Sequence, residues 1–168
     1  MATYTLISSV TVGSGGAASI GFSSIPSTFT DLQIFISART NATEASGGYY
    51  NTVKFNGVST NITSRYLYGT GAGAGSGNAS DIYTYNAPSN YTASTFASTS
   101  IYIPNYTSAN YKSVSIDDVI ETNATGSPSE LLAGLWSNTA AITQIDFTPA
   151  GGSFVQYSTA YLYGISNA

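Results

Sequence analysis

The chain has no histidine, no cysteine and one tryptophan, and sets four basic residues against eight acidic ones over 168 positions. Without His or Cys, nearly every zinc, copper, haem or iron–sulfur site loses its ligands, and the common His- or Cys-based hydrolases lose their base or nucleophile. No disulfide framework can staple the fold. Four cations cannot neutralise the phosphates that a dedicated DNA or RNA binder must contact, so nucleic acid is not an expected partner. No apolar run approaches the roughly 20 residues of a membrane-spanning helix. The opening Tyr4–Val10 is interrupted by polar residues and has no basic start, so it does not read as a secretory signal. The expectation is synthesis in a cytoplasm without membrane insertion. Charged residues make up 7% of the chain, against roughly 25% in ordinary soluble domains.

Aromatic residues are plentiful: 14 Tyr and 7 Phe accompany the lone Trp. That argues against a disordered tail, which is usually aromatic-poor. The dominant period is two. Leu32, Ile34, Ile36 and Ala38 share one face of a strand, and similar alternating runs occur at 4–12, 17–22, 49–55, 64–68, 82–85, 96–103, 112–122, 134–137, 142–147 and 155–163. Gly, Asn, Pro and Ser clusters separate most of them. Ser129–Ala133 is the best helical window, with room for one turn at most. The pattern predicts an all-β, antiparallel, jelly-roll-like β-sandwich of about 8–10 strands, with little or no helix. A single domain over residues 1–168 follows from the length. Its expected core is Leu6, Ile20, Leu32, Ile34, Ile36, Val53, Phe55, Ile101, Ile103, Val114, Ile116, Leu135, Ile142, Ile145 and Leu162.

Residues 69–77 alternate glycine with small residues and read as a flexible surface loop. They lack the helix-opening spacing of a dinucleotide fingerprint and the lysine of a P-loop. Residues 41–48 read as a second mobile loop. The one acidic cluster in sequence is Asp117, Asp118 and Glu121. On a regular strand Asp117 and Asp118 face opposite ways, and Asp117 and Glu121 lie roughly 13 Å apart, beyond the roughly 5–9.5 Å of glycosidase carboxylates. Strict alternation would drive Asp118 into the core, so a bulge at this point is expected. No EF-hand pattern accompanies these acids, and no metal, cofactor or catalytic residue is expected. Six Asn-x-Ser/Thr triplets (Asn41, Asn61, Asn78, Asn90, Asn105, Asn123) are a chance product of the Ser/Thr content, in a chain without a signal peptide. The tyrosines are strand formers, and also candidates for subunit or glycan contact: Tyr49, Tyr50, Tyr66, Tyr68, Tyr83, Tyr85, Tyr102 and Tyr106. Trp136, flanked by Leu135, reads as core or interface.

Several phrases resemble small virion proteins of tailed bacteriophages, especially marine and cyanobacterial ones. They are 4–12, 15–20 with Ile25-Pro26, 101–106, 134–142 and 158–165, and together they span nearly the whole chain. The resemblance carries no catalytic motif. It implies a non-enzymatic structural protein located in the virion. The size of the chain, its start at Met1 and the lack of coiled-coil heptads favour a capsid decoration (cement) protein. Such a protein would be a homotrimer bound to the major capsid protein through apolar and Tyr-rich surface rather than ion pairs. The alternative is a receptor- or carbohydrate-binding module at a tail tip or fibre, with tail proteins and a host surface glycan as partners. Low charge makes packing less sensitive to ionic strength, and a cysteine-free chain is indifferent to redox state.

Overall fold

The structure, a computed structural model, describes residues 2–121, 123 and 128–166. Its regular elements are β1 (Thr3–Thr11), β2 (Ile20–Phe22), β3 (Asp31–Ala38), β4 (Tyr50–Phe55), β5 (Ile62–Gly69), β6 (Ala74–Ala79), β7 (Tyr83–Tyr85), β8 (Ala97–Ile103), β9 (Lys112–Val119), β10 (Ser129–Trp136), β11 (Ile145–Pro149) and β12 (Thr159–Ser166), with one 3-10 turn at Glu44–Ser46. The fold is all-β. Two antiparallel sheets form a sandwich-like arrangement. The larger sheet has the order β1-β12-β3-β8-β9-β10-β5-β6 and the smaller β2-β11-β4-β7.

Period-two alternation builds the interior. Along β9, Lys112, Val114, Ile116 and Asp118 are buried while Ser113, Ser115 and Asp117 are exposed. Along β10, Glu130, Leu132, Gly134 and Trp136 turn inward. Leu32, Ile34 and Ile36 of β3 and Leu162 of β12 join Val53, Phe55, Ile145 and Phe147 of the smaller sheet in one buried cluster. Each such side chain contributes about 1.5–3 kcal/mol relative to exposure.

Two expected core residues are outside it. Leu6 is 51% exposed because the β1–β12 register shifts between Leu6 and Ser8. That bulge turns Ile7 and Val10 toward the core and breaks the alternation Leu6 relied on. Leu135 is exposed because its neighbour Trp136 takes the inward position.

Twelve strands exceed the 8–10 expected, and three further readings are corrected. Ser129–Ala133 belongs to β10, paired on both sides, and is not helical. Residues 69–77 are largely a hairpin: β5 ends at Gly69, residues 70–73 turn, and β6 pairs residue by residue with β5. The strand tolerates its glycines because aromatic rings cover them. A Cβ at Gly75 would lie 2.8 Å from the Tyr68 ring, and one at Gly77 2.6 Å from the Tyr66 ring, so both faces of that edge are completed by tyrosine. Residues 41–48 are pinned: Asn41 Oδ1 accepts from Ser153 N–H, Asn90 Oδ1 accepts from Glu44 N–H, and Gly48 is buried. Thr122, the expected end of the ninth strand, lies outside the described residues.

Gly134 is a close approach that decides packing. A Cβ there would meet Ile82 Cδ1 at 2.6 Å, and Ile82 is fully buried and has no room to retreat. Gly134→Ala is expected to destabilise the fold by about 1–3 kcal/mol through overpacking, read as a lowered urea midpoint. Gly73→Ala, in open space, should leave the midpoint nearly unchanged.

Candidate functional site: a tyrosine-lined cleft

The larger sheet continues past β8 as β9, β10, β5 and β6, beyond the β7 edge of the smaller sheet. The register aligns one inward-facing row across it: Thr99 opposite Asp118, Asp118 opposite Glu130, Glu130 opposite Tyr68. On the smaller sheet Tyr50 is opposite Tyr85 and Thr52 opposite Tyr83, which places Tyr50, Tyr83 and Tyr85 on one face. Where these two rows meet there is a cleft of about 280 Å³, lined by Tyr49, Tyr50, Tyr66, Tyr68, Tyr83 and Tyr85, with Thr70, Pro128 and Glu130. Six of the eight tyrosines singled out in the sequence therefore converge on one place. Tyr102 and Tyr106 do not. The Tyr102 hydroxyl donates to Asp31 Oδ2 (2.8 Å), and Tyr106 is a buried core residue whose hydroxyl donates to the Pro26 carbonyl.

The rings are set against one another. Tyr49 and Tyr50 have centroids 4.8 Å apart at 84°, Tyr50 and Tyr83 5.0 Å apart at 78°, and Tyr66 and Tyr83 6.1 Å apart at 72°. These edge-to-face pairs suit the ring quadrupole and hold the walls in place. Burial, reinforced by nearby acidic groups, raises the pKa of Tyr49, Tyr50, Tyr83, Tyr85 and Tyr91. Their phenols are neutral donors.

Glu130 is the polar floor. Its Oε2 accepts from the Tyr85 hydroxyl at 2.8 Å and the Tyr83 hydroxyl at 3.2 Å. Burial raises its pKa, opposed by those two hydrogen bonds. Asp118 lies behind it, fully enclosed. Its Oδ1 accepts from Thr99 Oγ1 at 2.7 Å and its Oδ2 from the Tyr85 backbone N–H. Burial pushes its pKa up to about 7. The bulge expected at Asp117–Asp118 is absent, since the β9–β10 register runs unbroken from Val119 to Lys112. The carboxyl goes inside and is satisfied there by two donors. Asp117 and Glu121 remain exposed.

Sequence proximity could not reveal that Asp118 and Glu130 are cross-strand neighbours, 12 residues apart in number and directly opposite in β9–β10. As chemistry the pair is one-sided. Both oxygens of Asp118 are used by protein donors, and only Glu130 reaches the cleft. Two carboxyl groups flanking a scissile bond would need both exposed to it.

The cations lie elsewhere. The Arg39 guanidinium donates to the carbonyls of Ser89, Tyr91, Thr92 and Thr95. Lys112 Nζ, wholly buried, donates to the carbonyls of Ser108 and Asn110. Arg65 is on the outer face of β5, and Lys54 is opposite Asp146 on β4. Among the described residues no group of three or more acidic residues is arranged to hold a metal ion, and no helix is long and apolar enough to cross a membrane.

Fold and site define the class: an all-β, two-sheet protein with an open aromatic cleft beside the edge of its smaller sheet. No family model matches the chain, and no curated protein matches it. Among structures, a fructofuranosidase from Schwanniomyces occidentalis complexed with fructosylnystose aligns with a TM-score of 0.26 and 7% identity, over 99% of this chain and 33% of that one. The chain thus spans about a third of that structure, and a likeness so slight carries no argument about activity.

Proposed function

We propose that the protein is a non-enzymatic structural protein of a tailed-phage virion, a capsid decoration subunit that seats the outer face of its larger sheet on the major capsid protein as a homotrimer. The observation that carries this reading is the character of that face. The register sets Ser9, Tyr161, Phe35, Ser100, Asp117, Leu131, Leu67 and Ser76 in one row and Leu6, Tyr163, Gln33, Tyr102, Ser115, Ala133, Arg65 and Asn78 in the next. Asp117 and Arg65 are the charged members. Leu67 and Leu131 are 61% and 58% exposed, and with Leu6, Phe35 and Leu135 they make an apolar surface of the kind that marks a protein contact.

The resemblance of the sequence to phage virion proteins supports the same placement. The strand order supports a jelly-roll reading. β1, β12, β3 and β8 interleave with β2, β11, β4 and β7, and the hairpins β5–β6 and β9–β10 widen one sheet. That Asp118 has no free oxygen supports the absence of catalysis.

Cryo-electron microscopy of the virion tests the placement. On the order of hundreds of copies on the head are expected from repetition around threefold positions, while about a dozen or fewer at the tail would overturn it. Because exposed ion pairs contribute only about 0–1 kcal/mol each, head occupancy should change little between low salt and molar NaCl. Leu67→Asp with Leu131→Asp should abolish it without unfolding the subunit, since both side chains are exposed. A steep loss with salt would mean that charges such as Arg65 and Asp117 govern the contact. A second reading, a receptor- or carbohydrate-binding module at a tail tip or fibre, is favoured by the convergence of six tyrosines. Tail location together with glycan binding lost in Tyr50→Ala would establish it.

A further inference from the structure

We propose that the tyrosine cleft is a cage for a compact organic cation, a quaternary or protonated ammonium group, held by the rings of Tyr50, Tyr66 and Tyr83 with the Glu130 carboxylate as its counter-charge. The inference goes beyond the decoration reading and stands whether or not the outer face docks on a capsid. Three observations carry it.

The first is shape. Walls at 72–84° to one another enclose a small volume and offer no single flat platform for the face of a sugar ring. About 280 Å³ lies just under the roughly 300–1,000 Å³ range of drug-sized ligand pockets, and therefore suits one compact group.

The second is charge. The groups around Glu130 are Asp118 from β9, Tyr66 and Tyr68 from β5, Tyr50 from β4, and Tyr83 and Tyr85 from β7. The nearby acids that act on these phenols include Glu44 and Glu130. No lysine or arginine lines the cleft. The nearest cation along β4 is Lys54, opposite Asp146. A buried carboxylate without a cationic neighbour gains from one that binds, and electron-rich ring faces attract the same charge.

The third is an available oxygen. Both tyrosine hydroxyls converge on Glu130 Oε2, and no hydrogen bond among the described residues uses Oε1. The cleft opens past Tyr50 and Tyr68, which are 41% and 39% exposed, so a ligand can enter without disturbing the fold.

The probe is choline, titrated into the full-length protein at constant ionic strength and followed by NMR. Its neutral isostere 3,3-dimethyl-1-butanol and a panel of methyl glycosides are titrated in parallel. Choline is expected to bind with a dissociation constant on the order of millimolar, at least about tenfold tighter than the isostere. Glu130→Gln, which can still accept from both tyrosine hydroxyls, should weaken choline about tenfold or more and leave the isostere unchanged. Tyr50→Ala, at an exposed rim position, should weaken choline without lowering the melting temperature. Choline affinity should also fall as pH is lowered and Glu130 takes up its proton. Equal binding of choline and the isostere would overturn the proposal in favour of a merely apolar pocket. Binding of glycosides but not choline would overturn it in favour of the carbohydrate reading, and no binding of any probe would overturn it outright.

Discussion

The stability difference between the wild-type protein and Asp118→Asn should grow from near zero at pH 4 to as much as roughly 4 kcal/mol by pH 8, with the variant the more stable. Asp118 titrates near 7 in the folded protein and near 3.9 as an ordinary unfolded carboxyl. Between those values the folded state holds a proton that the unfolded state has released, so wild-type stability falls as pH rises. Below about pH 4 both states are protonated and the contribution is fully present. Above about pH 7 both are ionised and it is lost. Each unit of separation is worth about 1.4 kcal/mol. Asparagine can keep both contacts: its Oδ1 accepts from the Tyr85 N–H, and its amide donates to a Thr99 hydroxyl rotated to accept. Asp118→Ala is different, because it leaves two buried donors without an acceptor, and it should destabilise at every pH by about 1–3 kcal/mol per orphaned group. Urea unfolding of the three proteins at pH 4, 6 and 8 decides the matter. A wild type that gains stability relative to Asp118→Asn as pH rises would show that the buried carboxyl is stabilised as an anion, and the account of its environment would be wrong.

Trp136→Ala should cost about 3–5 kcal/mol, the range for removing a large aromatic from a packed core. Trp136 is 1% exposed, and its ring lies 5.5 Å from that of Phe55. It thus ties β10 of the larger sheet to β4 of the smaller one, and its loss opens a void where the two layers meet. Trp136→Phe should cost much less, because the indole Nε1 has no hydrogen-bond partner among the described residues and a phenyl ring forfeits none. Circular dichroism in urea, which does not depend on the missing indole, gives both values. A cost below about 1 kcal/mol for Trp136→Ala would mean that the layers do not rely on this contact.

Much of the fold was legible because alternation is a local signal. The central run Leu32–Ala38 needed only its own residues to declare an inward face, and it forms β3 as expected. β6 was illegible for the converse reason. Ala74–Ala79 offers no apolar side chain to alternate, and the aromatic rings that complete it belong to Tyr66 and Tyr68 on the neighbouring strand. Leu6 misled because a one-residue bulge reverses every face beyond it. At the candidate site the tyrosines could be named individually, since composition marks them, but their meeting point depends on how β5, β7 and β10 are brought together. The same holds for Asp118 and Glu130, whose opposition is a fact of register. Strict alternation did point Asp118 inward. What it could not supply were Thr99 Oγ1 and the Tyr85 N–H, the donors that make burial tolerable without a bulge.

The carbonyl-bound amine of Lys112 has a practical consequence for handling the molecule. With Lys112 enclosed and its Nζ held by Ser108 and Asn110, Lys54 is the one lysine side chain not fully buried, and with the α-amine it is all that an amine-reactive reagent can reach. Acylation or dye coupling under native conditions would therefore mark β4 at a defined place, leaving the cleft and the broad outer face of the larger sheet unlabelled. A coupling at Lys112 would report that the 108–111 turn had opened, which turns a buried nitrogen into a chemical gauge of local unfolding.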